Sequence, residues 1–417
     1  MMLNRKIAPV NFSFTAPDIP SPEIYTLQNG LVIHSFENDD LDIIKLEFIF
    51  KNVNSFTEKV TGINLLTAKT LLAGTKNSSA EQLANQIASL GAFIDVSPSF
   101  DYTILNVYCL EKDIIDVINL IKEILENANF SETEVKLQKN IAISNLKLQK
   151  KKNSIVASRA LRKSLFSNHP YGKSPIIKDI HDVNREQISS SYQNFWKEVD
   201  VLICGKVTNR VLTSLEGLQI NKSELNDHHY ANELNNLRPM RKTTAIESDS
   251  TIQTSIRIGK RIIDKKHKDY ARLVMTNYIL GGFFGSRLMS NLREDKGLTY
   301  GVHSSITSLR YASFFSIQCD VKSSDKTLAI NEIQKELNKL ANVDISDKEL
   351  KVAKNHYLGS FQNSLSSVYS LSDKYKSIYF YGLQNSFYSE LIRAINEVSI
   401  NDLKQTASEY LTFSSMI

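Results

Sequence analysis

The amino-acid sequence predicts an α+β fold of two homologous domains, each a mainly antiparallel sheet packed with helices. Three observations carry this expectation: an internal repeat, alternating segments placed ahead of helical ones in each copy, and a polar stretch where the copies would join. The stretch Ser131-Glu-Thr-Glu134-Val135, followed by Lys139-Asn140, returns as Ser346-Asp-Lys-Glu349-Leu350, followed by Lys354-Asn355, 215 residues later. The same offset pairs Ile115 with Ile330, Ile118 with Ile333 and Leu125 with Leu340. Two copies of such a unit account for the chain, with an N-terminal domain over 1–213, a polar linker over 214–241 and a C-terminal domain over 242–417.

In the first copy, Leu31 to Phe36 and Ile43 to Phe50 are strand candidates. Ser78-x-x-Glu81 has the form of a capping box ahead of the stripe Leu83, Ile87 and Leu90, and Gly91 is placed to end that helix. Thr103 to Leu110 alternates as a strand, and Ile114, Ile118, Ile121 and Leu125 follow at helical spacing. Ser131 is a natural N-cap for the next helix, and Val201 to Cys204 closes the copy as a strand. In the second copy the strands are Ser255 to Ile258, Tyr300 to Ile306 and Ser313 to Val321, with one helix expected from about Asp269 to Lys296, ending at Gly297. Ile330, Ile333, Leu337 and Leu340 repeat the first copy's stripe, and Ser346 repeats its cap.

Composition narrows the function classes. Fifty Lys and Arg against 45 Asp and Glu leave a net charge of only +5 over 417 residues, and the densest basic run, Lys147 to Lys152, has no aromatic interleaving, so no nucleic-acid partner is expected. No apolar run is long enough to span a bilayer and the N-terminus lacks the core of a signal peptide, so the expectation is no membrane partner and a cytoplasmic address. Cys109, Cys204 and Cys319 lie far apart with no C-x-x-C pair and read as buried small apolar residues in a reducing compartment.

Several segments then converge. Thr61-Gly-Ile-Asn-Leu65-Leu-Thr-Ala68-Lys69 running to Gly74-Thr75, Leu90-Gly-Ala-Phe, His169-Pro-Tyr-Gly172, Leu280-Gly-Gly-Phe-Phe-Gly-Ser-Arg-Leu288 and Leu292-Arg-Glu-Asp-Lys-Gly-Leu-Thr-Tyr300 resemble, in order, the insulinase or pitrilysin-like zinc peptidases (inverzincins, with the mitochondrial processing peptidase among them). Active members carry H-x-x-E-H on a helix of the first half, two His that bind zinc and a Glu that activates water. Anchored on Gly74-Thr75, the His positions fall on Leu65 and Lys69 and the Glu position on Ala68; the remaining carboxylate ligand falls near Ser144 or Asn145. Leucine has no lone pair, alanine accepts no proton and a protonated lysine repels a dication, so the resemblance implies a degenerate first half with no zinc of its own.

The resemblance implies the reverse for the second half, where active enzymes complete their site with an Arg and a Tyr seven residues apart, a spacing that Arg293 and Tyr300 keep. Arg293 would offer a fork of donors to a peptide carbonyl, and the phenol of Tyr300 could donate to an oxygen that becomes negative in a tetrahedral intermediate. The bland reading is a solvated helix end and a half-buried strand aromatic. Gly281, Gly282 and Gly285 lack both nucleotide-loop spacings; the family uses a glycine-rich turn here to admit extended substrate, and the bland reading is close backbone packing. His169, His181, His228, His229, His267 and His303 show no pairing at helical spacing and read as surface or loop residues.

The expected function is therefore a non-catalytic subunit of a heterodimeric zinc metallopeptidase. A homologous partner bearing H-x-x-E-H would supply zinc and the general base, this chain would supply Arg293 and Tyr300, and short unfolded peptides would bind by adding a strand to a sheet edge. The alternatives are a structural or peptide-holding protein with no catalytic partner, and a homodimer with another activity.

Overall fold

A computed structural model of the chain describes residues 20–51, 60–196, 198–219, 244–246, 252–343 and 345–417. In the N-terminal half, strands β1 (Glu23–Thr26), β2 (Val32–Glu37), β3 (Ile43–Lys51), β4 (Phe93–Pro98), β5 (Tyr102–Leu110) and β6 (Val199–Gly205) form one sheet in the order β1-β2-β6-β3-β5-β4. Every neighbouring pair is antiparallel except β2 with β6. The alternation read in β5 is real: Thr103, Leu105, Val107 and Cys109 are buried, while Tyr102, Ile104, Asn106 and Tyr108 on the other face are half-buried. The buried face meets helices α1 (Ile63–Leu71), α2 (Ala80–Ser89), α3 (Ile114–Asn127), α4 (Glu132–Lys150), α6 (Ile177–Asp182), α7 (Arg185–Phe195) and α8 (Asn209–Glu216) in one core; α5 (Asn153–Phe166) goes elsewhere. Residues 214–219 close α8, and Leu218 is buried in this core; most of the stretch expected as the linker lies outside the described residues.

The capping box of α2 stands one residue later than the sequence suggests. Thr75 Oγ1 accepts from the amides of Asn77 and Ser78, and the Thr75 amide donates to the Ser78 carbonyl, so Ser78 is held in a turn. Ser79 becomes the cap and exchanges hydrogen bonds with Gln82 in place of the expected Ser78 and Glu81.

In the C-terminal half, β7 (Gln253–Ile262), β9 (Ser313–Lys322) and β8 (Val302–Ser308) form an antiparallel sheet in that order. That order matches β3-β5-β4, and Cys109 and Cys319 sit at matching places, opposite Ile44 and Ile256. Helices α9 (Tyr270–Asn277), α10 (Lys326–Asn342), α11 (Asp347–Asn363), α13 (Phe387–Glu397) and α14 (Ile400–Tyr410) pack with this sheet. Both predicted caps form: Ser131 accepts from the amide of Glu134 at 3.3 Å and Ser346 from that of Glu349 at 3.1 Å. The three cysteines are free and buried, and burial pushes the thiols of Cys109 and Cys319 up to about 12.

The two halves exchange helices. The 215-residue offset carries Asn153, the first residue of α5, onto Val368, the first of α12 (Val368–Tyr379). Helix α5 belongs to the first half but packs on the second half's sheet, where Leu161, Leu165 and Phe166 meet Leu309, Tyr311 and Phe314, and Arg257 Nε donates to Ser158. Helix α12 belongs to the second half but covers the outer face of the first sheet, where Tyr375 and Leu371 meet Phe36, Ile49, Leu202 and Cys204. Polar groups accompany that apolar contact: Lys45 pairs with Glu47 at 3.2 Å and Asp373 at 2.9 Å, Lys376 reaches Glu47 at 2.7 Å, and the Tyr375 hydroxyl and His34 Nδ1 share a hydrogen bond at 2.9 Å.

Candidate functional site

The segment that the resemblance aligns with the family's metal motif, Leu65 to Lys69, lies on α1. The inner face of this helix buries Asn64, Leu66, Thr67, Ala68, Thr70 and Leu71, which leaves Leu65 half-buried and Lys69 exposed. The ammonium of Lys69 donates to the carbonyl of Val96 on the edge strand β4 at 3.4 Å. Ser144 and Asn145 are exposed on α4, and neither is acidic. The resemblance to active zinc peptidases would place zinc here, and the donor set does not fit it: an aliphatic group, a methyl, an ammonium and neutral oxygens offer no thiolate, imidazole or carboxylate. Among the described residues no group of three or more His, Cys, Asp and Glu side chains is arranged to hold a metal.

The histidines differ in one respect from the sequence reading. His169 is buried, not on the surface: its Nδ1 accepts from the amide of Tyr171 at 3.2 Å and its ring packs between Phe166 and Tyr171. Burial, with Lys173 and Arg261 nearby, pushes its pKa down to about 4. His228 and His229 lie outside the described residues.

The single long helix expected from Asp269 to Lys296 is interrupted. Helix α9 ends at Asn277, a wide π turn covers Tyr278–Gly282, and Gly281 leaves helical geometry at φ −158°, ψ 20°. The cause is steric. A Cβ on Gly281 would lie 2.7 Å from both the amide nitrogen and the hydroxyl of Ser304 on β8, so only glycine lets the helix approach the strand this closely. A Cβ on Gly282 would meet the ring of Tyr278 at 2.7 Å, and one on Gly285 would meet the ring of Phe283 at 2.9 Å. Gly282 and Gly285 are exposed, whereas Gly281 is buried.

Arg293 stands in a second π-helical stretch, Met289–Asp295, a geometry often found at functional sites. Its neighbours anchor it. Leu292 is buried, and the Asn291 amide donates to Glu332 at 2.9 Å and Glu336 at 2.6 Å, tying the stretch to α10. Arg287 holds the preceding turn to α11 by a bidentate bond to Glu349 at 2.7 and 2.9 Å. The stretch stops before Gly297, which takes the left-handed conformation at φ 61°, as its position in the sequence suggests. The guanidinium of Arg293 is exposed and lies 4.9 Å above the ring of Phe284, with no carboxylate partner among the described residues. Tyr300 does not lie on β8, which starts at Val302, and it is not half-buried: it is 92% exposed. Thr299 fixes the turn that presents it, donating to the carbonyls of Gly301 and Asp320 and accepting from the amide of Gly301. Arg293 and Tyr300 thus flank one left-handed glycine, both presented to solvent.

Sequence reasoning missed Phe284 and Asn291. Phe284 stood in the quoted glycine segment, yet nothing in the spacing showed that its ring would meet a side chain nine residues on. Asn291, beside two carboxylates from a helix more than 40 residues away, left no local signal.

The family model described as Insulinase (Peptidase family M16) matches residues 55–178, and the one described as Peptidase M16 inactive domain matches residues 182–357. A Bacillus subtilis (strain 168) protein named uncharacterized zinc protease YmxG is 22% identical over 395 residues, covering 93% of this chain and 95% of the relative. A Helicobacter pylori (strain ATCC 700392 / 26695) protein named non-peptidase homolog YmxG is 24% identical over 379 residues, covering 88% and 86%. Among solved structures, a peptidase M16 inactive domain from Pseudomonas fluorescens superposes with a TM-score of 0.81 at 22% identity, covering 95% of this chain and 96% of that one, a likeness of fold. With the family's two models matched in tandem, in the order the internal repeat requires, the chain belongs to the insulinase (peptidase M16) family.

Proposed function

We propose that the chain is the non-catalytic subunit of a heterodimeric zinc metallopeptidase that hydrolyses short unfolded peptides. One juxtaposition supports this reading: the positions aligned with the family's zinc ligands and base are Leu65, Ala68 and Lys69, while Arg293 and Tyr300 stand exposed, Arg293 with no carboxylate partner among the described residues, on a scaffold braced by Asn291 and Arg287. A homologous subunit bearing H-x-x-E-H would bring the zinc and the general base. Arg293 would then bind a substrate carbonyl, and Tyr300 would donate to the oxyanion of the tetrahedral intermediate. Gly282 and Gly285, exposed beside Phe284, would offer main-chain groups to an extended substrate next to that pair. The free, buried cysteines suit a reducing, cytoplasmic compartment.

Co-expression with an H-x-x-E-H homologue tests the reading. The pair should show chelator-sensitive endopeptidase activity, and Arg293→Ala or Tyr300→Phe should lower turnover by about 10² to 10³ with assembly intact. The relative named as a non-peptidase homolog favours a second reading, a structural or peptide-holding protein with no catalytic role. Under that reading no partner confers activity, and both substitutions are silent.

A further inference from the structure

Within the glycine segment, Phe283 and Phe284 do different work. Phe283 turns inward and stacks on Tyr278, with ring centroids 5.1 Å apart and planes 10° from parallel. Tyr278 is itself held, by a 2.6 Å hydrogen bond to His356 Nδ1 and by edge contact with Tyr357. The absent side chains of Gly282 and Gly285 are what allow these two rings to lie against the backbone. The Ser286 amide donates to the Phe283 carbonyl at 3.1 Å, closing a tight turn with Phe284 and Gly285 at its centre. Phe284, at the tip of this braced turn, is 59% exposed. An aromatic side chain left that open on a rigid turn forgoes burial, and the guanidinium of Arg293 lies over its face at 4.9 Å.

We propose that Phe284 is a positioning residue for Arg293: its ring face holds the guanidinium in place in the free chain, so that the fork is already aimed when substrate arrives. The inference rests on the role proposed for Arg293. An arginine side chain has several rotatable bonds, and a guanidinium with no carboxylate partner would otherwise sample many rotamers at an exposed site. A cation–π contact fixes it without neutralising its charge or engaging the N–H donors that a carbonyl needs. A carboxylate would fix it more strongly and would also occupy those donors. The flat face is the requirement, so tyrosine should replace phenylalanine and an aliphatic side chain of similar bulk should not.

The experiment compares Phe284→Leu with Phe284→Tyr in the full chain, by nuclear magnetic resonance of the arginine side chains and by peptide turnover of the co-expressed pair. The Arg293 resonance is assigned through Arg293→Lys. The proposal expects a ring-shifted Arg293 signal in the wild type and in Phe284→Tyr that moves to the free-arginine position in Phe284→Leu. It also expects kcat/KM to fall about two- to fivefold in Phe284→Leu and to be restored in Phe284→Tyr, with thermal unfolding unchanged in both. If Arg293→Ala lowers turnover but Phe284→Leu does not, the proposal is overturned and the reading of Arg293 stands. An unmoved Arg293 signal in Phe284→Leu overturns it equally, whatever the turnover. If Arg293→Ala is itself silent in an active pair, the catalytic reading fails and this inference falls with it.

Discussion

Acid should loosen the grip of α12 on the N-terminal sheet, and His34 should account for a separable part of the effect. His34 is 1% exposed on β2, its ring 5.5 Å from that of Tyr375 and 4.4 Å from that of Tyr379. His34 Nδ1 shares a 2.9 Å hydrogen bond with the Tyr375 hydroxyl, and its Nε2 has no hydrogen-bond partner among the described residues. Burial pushes the pKa from 6.5 down to about 4. The Tyr379 hydroxyl, beside the ring, reaches Asp200 at 3.5 Å, and burial raises the Asp200 carboxyl. A depressed histidine binds its proton less readily folded than unfolded, so its contribution is whole above about pH 6.5 and is lost as the pH falls to about 4. A difference of about 2.5 units at 1.36 kcal/mol each gives a loss of about 3 kcal/mol across that window. His169, also near 4, adds a slope of the same sign, and Asp200 one of the opposite sign, so the wild-type profile alone does not isolate His34. Denaturant unfolding of wild type and His34→Phe at several pH values between 7 and 4 does. His34→Phe keeps a ring between the tyrosines and removes the titration, so the wild type should lose about 3 kcal/mol more than the variant over this range. Parallel profiles would refute the reasoning.

Gly281→Ala should destabilise by about 1 to 3 kcal/mol, because its methyl would meet the β8 backbone at Ser304; thermal unfolding should show a lowered midpoint. Gly359→Ala, on α11 with nothing within 4 Å of its Cβ, should by contrast be neutral or stabilising by up to about 1 kcal/mol. Glu47→Gln should cost about 1 to 3 kcal/mol in equilibrium unfolding at pH 7, since Glu47 is 2% exposed and the change removes one of the two carboxylates that Lys45 and Lys376 share, leaving them Asp373. The purified chain, dialysed against zinc and assayed by elemental analysis, should retain no stoichiometric metal; a tightly held ion would mean that ligands other than Leu65, Ala68 and Lys69 form a site.

The elements legible in the sequence were those whose signal is local. Strand β5 announced itself by alternation, α3 and α10 by apolar spacing, and their successors by Ser131 and Ser346, since period and cap are properties of a few adjacent residues. The break in the Asp269 to Lys296 segment was hidden although three glycines marked it, because the reason for Gly281 is a strand that passes beside it from more than 20 residues away. The capping box slipped by one residue because Thr75, not Ser78, decides where the turn before α2 closes. The exchange of α5 and α12 between halves could not be read at all: both helices carry apolar residues at ordinary spacing, and nothing in that pattern says which sheet will receive them.

The two halves keep their family resemblance for different physical reasons. On α1 the residues that hold the helix in the core, such as Leu66, Thr70 and Leu71, are not those that align with the family's His ligands, so Leu65 and Lys69 stand on its outer side without disturbing the packing. Scaffold and the proposed metal positions are separable there. In the second half they are not separable. Arg293 is presented by an interrupted helix, by glycines whose every Cβ would clash, and by Asn291 buried between two carboxylates, each of which is less stable by itself than an uninterrupted amphipathic helix over the same span. Structure of this kind, unfavourable locally and compensated from a distance, is characteristic of sites that are used. Gly281 packs against the backbone of Ser304 on β8, so a methyl there must displace the strand, whereas a methyl on Gly282 or Gly285 meets only the rings of Tyr278 and Phe283, which can turn; alanine should therefore be tolerated better at 282 and 285 than at 281.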